Sequence, residues 1–345
     1  MAKRPTVYDV AEAAGVSIAT VSLAFRRPAK LRPATVEVVH TTARRLGYVP
    51  SASARGLAAG RTGVLGLISW DLFASTPANS DMFSNSTLRD FPRYVDEVQR
   101  GVEIASWRNG YALLVGGGNH RNSEAMIIDI AGRTDGLVVL PHTMGAETLI
   151  PISERVPVVI VSEFEGTENL NRVIIDNDGG MRKLVEHLVE EHHARKFVFV
   201  GNTDSVEYGA RWNVFCSTLV ENELQPPSAP LPGPESVAAG LHEESRTAEL
   251  PDAFVCRNDA DALNLIDALR ERGIRVPEDV IVTGFDGIAA GLVSEPTLTT
   301  VRQPMQALGE TAIEVLMLQL NGSTVPETRY LPTRFEARSS CGCRE

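Results

Sequence analysis

The stretch Thr6 to Phe25, TVYDVAEAAGVSIATVSLAF, constrains this chain more than any other. Val7, Val10, Ala11 and Ala14 recur at i, i+3, i+4 and i+7, the apolar stripe of one short helix. Thr6 occupies its N-cap position, and Asp9 lies where an acid meets the positive end of the helix dipole. Gly15 allows a tight turn or a left-handed residue. Ser17 caps a second helix, whose Val21 and Phe25 face inward one turn apart. Two short helices joined by a Gly-containing turn make a helix-turn-helix, and in that motif the second helix enters the major groove of DNA. Two amphipathic helices and a glycine turn also occur in ordinary helical proteins, so periodicity alone leaves both readings open.

Charge separates the chain into two parts. Residues 1–61 carry ten Lys/Arg against three Asp/Glu, a balance of +7, so the remainder of a chain with net charge −11 carries −18. A basic head on an acidic body is expected where only the head meets phosphates. A length of 345 residues suits two or three domains, and 43% hydrophobic with 22% charged residues is a globular composition. MAKRPTVYDV has no apolar stretch of the signal-peptide kind, and runs such as VPVVIV are too short to span a bilayer, so a cytoplasmic protein without membrane contact is expected.

A third helix is expected from Pro33, with Val36, Val39, Ala43 and Leu46 on its apolar face and Gly47 at its end. Arg32, at the N-cap position, is a poor capping residue. SASARGLAA, residues 51–59, is too short to be a stable isolated helix in water. From Thr62 the pattern becomes strand–helix alternation. GVLGLIS, YALLVGG, DGLVVLP, VPVVIVS, KFVFVGN and DVIVTGF alternate with helical stretches such as 179–192, 208–222, 259–272 and 305–320. Near-continuous apolar strands between helices imply parallel sheets covered on both faces, and six or more such units suggest two doubly wound subdomains with ligand at the carboxyl ends of the strands.

YDVAEAAGVSIATVS closely resembles the headpiece of the lactose-repressor/galactose-repressor (LacI/GalR) family of bacterial transcription regulators. Asp176-Asn177 after a strand, CRNDADAL at 256–263, RGIRVPEDVIVTGFDG at 272–287 and PTLTTVRQP at 296–304 follow in the family's order, so the resemblance covers essentially the whole chain. It implies an all-α helix-turn-helix headpiece over 1–50, a hinge helix or linker over 51–61, and an α/β core over 62–345 of the two-lobed periplasmic-binding-protein type. The lobes would be about 62–161 plus 301–322 and about 162–300 plus 323–340. There are departures: Glu191-His192-His193 stands where a Gly-His pair is usual, and Val214 where glycine is common. The first strand-to-helix connection, residues 70–100, is longer than usual and places DMFSNSTLRDFPRY at the rim of the expected cleft.

The resemblance also implies the site residues. On the second helix, Ile18, Ala19 and Leu23 stand where the family reads bases. Being apolar, they can pack on thymine methyls but cannot make bidentate bonds. Thr6, Ser17, Thr20 and Ser22 can bond phosphate or base, which shifts specificity toward phosphate contacts and shape. In the hinge, Ser51, Ala54, Arg55 and Leu57 would meet the operator, with Leu57 at the place of the family's minor-groove wedge. A flexible linker is the other reading of that stretch. In the core, Arg211, Asn258 and Asp286 stand where the family bonds a polyol or similar effector, and Gln303, Ser162 and Trp70 are further candidates. A guanidinium, an amide and a carboxylate supply the donors and acceptors that vicinal hydroxyls need. The alternative is an internal salt bridge of Arg211 with Asp286 or Asp259.

Cysteines at 216, 256, 341 and 343 give no disulfide framework. Cys341 and Cys343 form a lone C-x-C in a polar tail, short of ligands for a metal. His187, His192 and His193 beside Glu190 and Glu191 read as a solvated helix end. Gly116-Gly117-Gly118 lacks the dinucleotide-loop spacing, and no nucleophilic triad is evident. The expected protein is therefore a homodimeric regulator, a repressor, without metal, cofactor or enzymatic activity. It would bind a palindromic double-stranded operator and a small effector, a sugar or sugar derivative by resemblance. A solute-binding receptor of a transport system is the alternative.

Overall fold

The capping signals at the start of the chain form as written. In the computed structural model, α1 runs Val7–Ala14 with Thr6 and Asp9 in a reciprocal capping box, and it ends at Gly15 with φ +66°, a left-handed residue that only glycine adopts without penalty. Helix α2 runs Ile18–Arg26 from a Ser17 cap, and the two axes differ in direction by 103°. Helix α3, Pro33–Leu46, starts at Arg32 without a side-chain cap and ends at left-handed Gly47. Val10, Ala11, Val21, Ala24, Val39 and Ala43 form the shared core. The structure describes residues 5–50, 60–70, 93–118, 123–141, 143, 145–163, 165–240 and 250–344, in two compact units, Met1–Gly63 and Val64–Glu345.

The second unit contains the expected parallel sheets. Its first sheet holds β1 (Val64–Trp70), β2 (Ala112–Gly118), β3 (Leu137–Val139), β4 (Val158–Val161), β5 (Asn171–Ile175) and β10 (Thr328–Leu331), in the order β10-β5-β4-β3-β1-β2. Every pairing in it is parallel. The order 2-1-3-4-5 is a doubly wound one, with its switch point between β1 and β3. The second sheet is parallel β6 (Phe197–Val200), β7 (Ala253–Cys256) and β8 (Ile281–Thr283). A short antiparallel pair joins β9 (Thr300–Arg302) to β11 (Arg334–Glu336).

This pairing moves the lobe boundaries read from the sequence. Strands β5 and β10 lie in the ranges assigned to the C-terminal lobe, yet Val159–Val161 pairs with Asn171–Val173 and Arg172–Ile175 pairs with Thr328–Leu331. The first sheet captures both strands because β5 pairs its backbone donors and acceptors with β4, and β10 pairs with the free edge of β5.

Helices cover both sheets. In the first lobe, α4 (Arg93–Arg108) packs along α12 (Met305–Leu320), and α5 (Ser123–Ala131) and α6 (Ala146–Ser153) lie elsewhere on the sheet. The α4–α12 approach is glycine-dependent: a Cβ on Gly101 would run into the Gln306 carbonyl, and one on Gly309 into the Val98 carbonyl. In the second lobe α7 (Asn177–Glu190), α8 (Val206–Glu221), α9 (Pro234–Gly240), α10 (Asp259–Glu271) and α11 (Ala290–Val293) surround β6–β8. Among the described residues no single helix is long and apolar enough to cross a membrane.

Candidate functional site

The first candidate site is the outer face of the helix-turn-helix. Val21 and Ala24 point into the core, which leaves Ser17, Ile18 and Ala19 exposed and Thr20, Ser22 and Leu23 half-buried. Ile18 keeps 41% of its surface open, so the helix is not rotated to bury it. Phe25 is half-buried and stacks on His40 with centroids 4.8 Å apart, while the His40 Nε2 lies 3.2 Å from the Ala24 carbonyl oxygen. The polar groups are already ordered by local bonds. The Ser17 hydroxyl accepts from the Thr20 amide at 3.1 Å and lies 2.9 Å from the Thr20 hydroxyl. The Thr6 amide and hydroxyl both donate to the Asp9 carboxylate, at 2.6 and 2.7 Å. Of the Ser17–Thr20 pair one hydroxyl donor remains for a phosphate or base edge, whereas the Thr6 donor is taken by Asp9 and leaves that hydroxyl only acceptor capacity. Ser51, Ala54, Arg55 and Leu57 lie outside the described residues.

The second candidate site lies in the unit Val64–Glu345, where strand ends converge. Asp176 caps α7 by accepting from the Gly179 amide at 2.8 Å, and the next residue, Asn177, turns its Oδ1 to Arg211 Nε at 2.9 Å. Arg211 is buried on α8. Its Nη1 donates to the Arg257 carbonyl at 2.6 Å, and its guanidinium lies 3.7 Å from the centroid of the Phe285 ring. The same Nη1 faces Asp286 Oδ1 at 3.7 Å, an ion pair looser than a hydrogen bond. Gln303 completes the group by donating Nε2 to that Oδ1 at 2.6 Å.

Asp286 stands out on two counts. Its φ is +138°, in the region that disfavours side chains, at a cost of about 1–3 kcal/mol. Burial pushes its pKa up to about 7, against the pull of Arg211. Neighbouring Asp259 is fully buried and also shifted upward by burial. Three donors oppose that shift: the amides of Gly287 and Ile288, at 2.7 and 2.8 Å, and the Thr300 hydroxyl at 2.6 Å. Asn258 serves as the α10 cap, accepting from the Asp261 amide at 2.8 Å, while its Nδ2 approaches the Tyr208 hydroxyl at 3.5 Å.

Arg211, Asp286, Gln303 and Asn258 are thus drawn into one neighbourhood, with Asn177 and Tyr208 as additions. The salt bridge that the sequence reading posed as an alternative for Arg211 is present with Asp286. Ser162 is buried at the end of β4 with φ +87°, its amide bonded to the Val173 carbonyl at 2.8 Å. The following residue reaches α8, the Glu163 amide donating to Glu207 at 3.2 Å. Trp70 ends β1 at the switch point of the sheet, and its side chain lies outside the described residues. The sequence reading missed Tyr94, at the start of α4. Burial first, and then the fields of Glu207 and Asp286, push its hydroxyl pKa up, so it stands within electrostatic reach of this site. The only signal was the long connection itself, of which Tyr94 is the final residue in DMFSNSTLRDFPRY. The triple glycine lies within β2 and is no loop.

Comparison with known proteins matches both units. Residues 6–51 match bacterial regulatory proteins of the lacI family, and residues 185–341 match the periplasmic binding protein-like domain. Catabolite control protein A of Staphylococcus xylosus is 30% identical over 345 residues, covering 97% of this chain and 98% of the relative. The HTH-type transcriptional repressor PurR of Haemophilus influenzae (strain PittEE) is 31% identical over 326 residues, covering 90% of each. Among solved structures, the lac repressor dimer bound to operator and the anti-inducer ONPF superposes with a TM-score of 0.79 at 24% identity, over 98% of this chain and 99% of that one. The complex of the transcriptional regulator CelR with cellobiose gives 0.67 at 26% identity, over 98% and 100%.

Proposed function

This chain belongs to the lacI family of bacterial regulatory proteins, and from that premise we propose that it is a homodimeric, cytoplasmic repressor without enzymatic activity. Its operator affinity would be set by a small carbohydrate bound between the lobes of the core. The DNA reading rests on a capped helix pair whose exposed face belongs to a segment of charge +7. Two such headpieces related by a two-fold axis read a palindrome. On this reading Ile18, Ala19 and Leu23 meet thymine methyls, while Thr6, Ser17, Thr20 and Ser22 bond phosphates or base edges. Ser51, Ala54, Arg55 and Leu57 follow in the minor groove.

One observation carries the effector reading: Asp286, half-buried and at strained φ, holds a loose ion pair with buried Arg211 at the ends of strands. Strain and a buried charge pair both cost free energy, and neither is needed merely to close a loop. A polyol whose hydroxyls bridge Arg211, Asp286 and Asn258 would tighten that pair, with Gln303, Ser162 and Trp70 as further contacts. A ligand that binds one lobe arrangement better than the other shifts the equilibrium by its differential affinity, which appears at the DNA as a coupling free energy. Homodimerisation is supported by apolar surface on the first lobe, where Trp107 is 79%, Ile128 55% and Val115 45% exposed. Two structural neighbours, the operator-bound lac repressor dimer and the cellobiose complex of CelR, support the same reading.

The test is operator protection by the full chain and by a form starting at Thr62, with salt varied and a panel of mono- and disaccharides added. The proposal expects protection of a palindrome by the full chain alone, an affinity that falls steeply with salt, and a shift in that affinity with one sugar class. Arg211→Ala should keep operator binding and lose the sugar response. Protection by the Thr62 form, or an unchanged sugar response in Arg211→Ala, would overturn it.

A further inference from the structure

The C-x-C of the tail, which lacks metal partners in the sequence around it, acquires two in the fold. Helix α7 ends beside His187, and His192 follows in the turn after it. The tail returns through β11 to a short 3-10 turn, Ser339–Cys341, and Gly342 with φ +97° swings Cys343 round to the same place. The donor atoms of His187, His192, Cys341 and Cys343 all lie within 4.8 Å of one another. We propose that these four side chains form a structural zinc site of the Cys2His2 type.

Distances, scaffold and chemistry support the site independently. A zinc ion held at about 2.0–2.1 Å from nitrogen and about 2.3 Å from sulfur, at tetrahedral angles, needs edges of about 3.3 Å for N–N, about 3.6 Å for N–S and about 3.8 Å for S–S. His187 Nε2 and His192 Nε2 are 3.1 Å apart. Cys343 Sγ lies 3.5 Å from the His187 nitrogen and 3.4 Å from that of His192, and Cys341 Sγ lies 3.7 Å from His187. Four of the six edges therefore match a zinc tetrahedron to within a few tenths of an ångström. Both imidazoles present Nε2 to the centre, the arrangement a metal uses and a chain of hydrogen bonds does not need.

The scaffold is stiff. Cys341 is buried. Ser340 Oγ donates to the Val282 carbonyl at 2.6 Å and accepts from the Thr299 amide at 2.9 Å, while Ser339 Oγ accepts from the Thr297 amide at 2.8 Å. The Phe335 ring packs on His187 with centroids 4.8 Å apart. A thiolate and imidazole donor set favours zinc over the hard cations, and two thiolates neutralise its two charges. Each thiol gives up its proton on binding. Four protein ligands leave no open position, and His187 stands ten residues, about 15 Å, along α7 from Asn177, which touches Arg211. The ion is therefore a clamp fastening the tail to α7, separate from the effector site.

The measurement is metal content by inductively coupled plasma mass spectrometry on the full chain, purified without a polyhistidine tag and with its thiols reduced. The expected result is about one zinc per chain in the wild type and in Cys216→Ser, and less than about one tenth in the double variant Cys341→Ser/Cys343→Ser. Cobalt(II) added to the metal-stripped wild type should give the intense visible bands of four-coordinate cobalt and a thiolate-to-cobalt charge-transfer band. That arm stands even if the double variant does not fold. Zinc content unchanged in a folded double variant, or a wild type that neither retains zinc nor gives the cobalt bands, overturns the site.

Discussion

The two units hold their polar site groups at very different ranges. In Met1–Gly63, Thr6 bonds Asp9 and Ser17 bonds Thr20, each partner three residues away on the same helix turn. In Val64–Glu345, Arg211 reaches partners 34 and 46 residues away, Asp286 meets Gln303 across 17, and Asp259 meets Ile288 across 29 and Thr300 across 41. The first arrangement survives anything that leaves two short helices folded. The second exists only while several strand ends remain in register, and its buried charges become liabilities when one partner is removed. The headpiece is thus locally specified but thinly packed, with six buried apolar side chains among its described residues, of which three are alanine, and the core is thickly packed but dependent on remote partners.

The largest effect that sharpens this contrast is Asp259→Ala. It strands two amides and a hydroxyl in a fully buried place, and core stability in urea should fall by about 3–5 kcal/mol. A loss below about 1 kcal/mol would break the contrast. The next effect is pH. Asp286 is raised from the ordinary carboxylate range to about 7, so between about 4 and about 7 the native chain binds more protons than the unfolded one. Its contribution to stability therefore declines as pH rises through that window. The core should unfold at lower urea at pH 8 than at pH 5, and Asp286→Asn should flatten that slope.

A headpiece substitution should act in the opposite register. Val21→Ala removes two methyl groups from a six-residue core at about 2 kcal/mol, and operator binding should weaken while the thermal transition of the core stays in place. A shift of the core transition would show that the headpiece is not independent. The smallest effect is cap removal: Thr6→Ala and Ser17→Ala should each cost about 1 kcal/mol of headpiece helicity by circular dichroism. Neither should change the sugar response.

What the sequence alone could determine follows the same division of range. The helix pair, its caps, the left-handed glycines at 15 and 47, and the strand–helix alternation are all legible because each signal repeats within a few residues. The positions of Arg211, Asn258, Asp286 and Gln303 came from the wording of motifs rather than from any physical period. Tertiary structure alone decided that β5 and β10 join the first sheet, since unpaired strand edges take whichever neighbour completes their hydrogen bonds. It alone brought Tyr94 to the field of Asp286, and aimed two histidines from one helix end at two cysteines about 150 residues later in the chain. Such convergence leaves no periodic trace, because it depends on where helices and strands stop in space rather than on the spacing of residues along them.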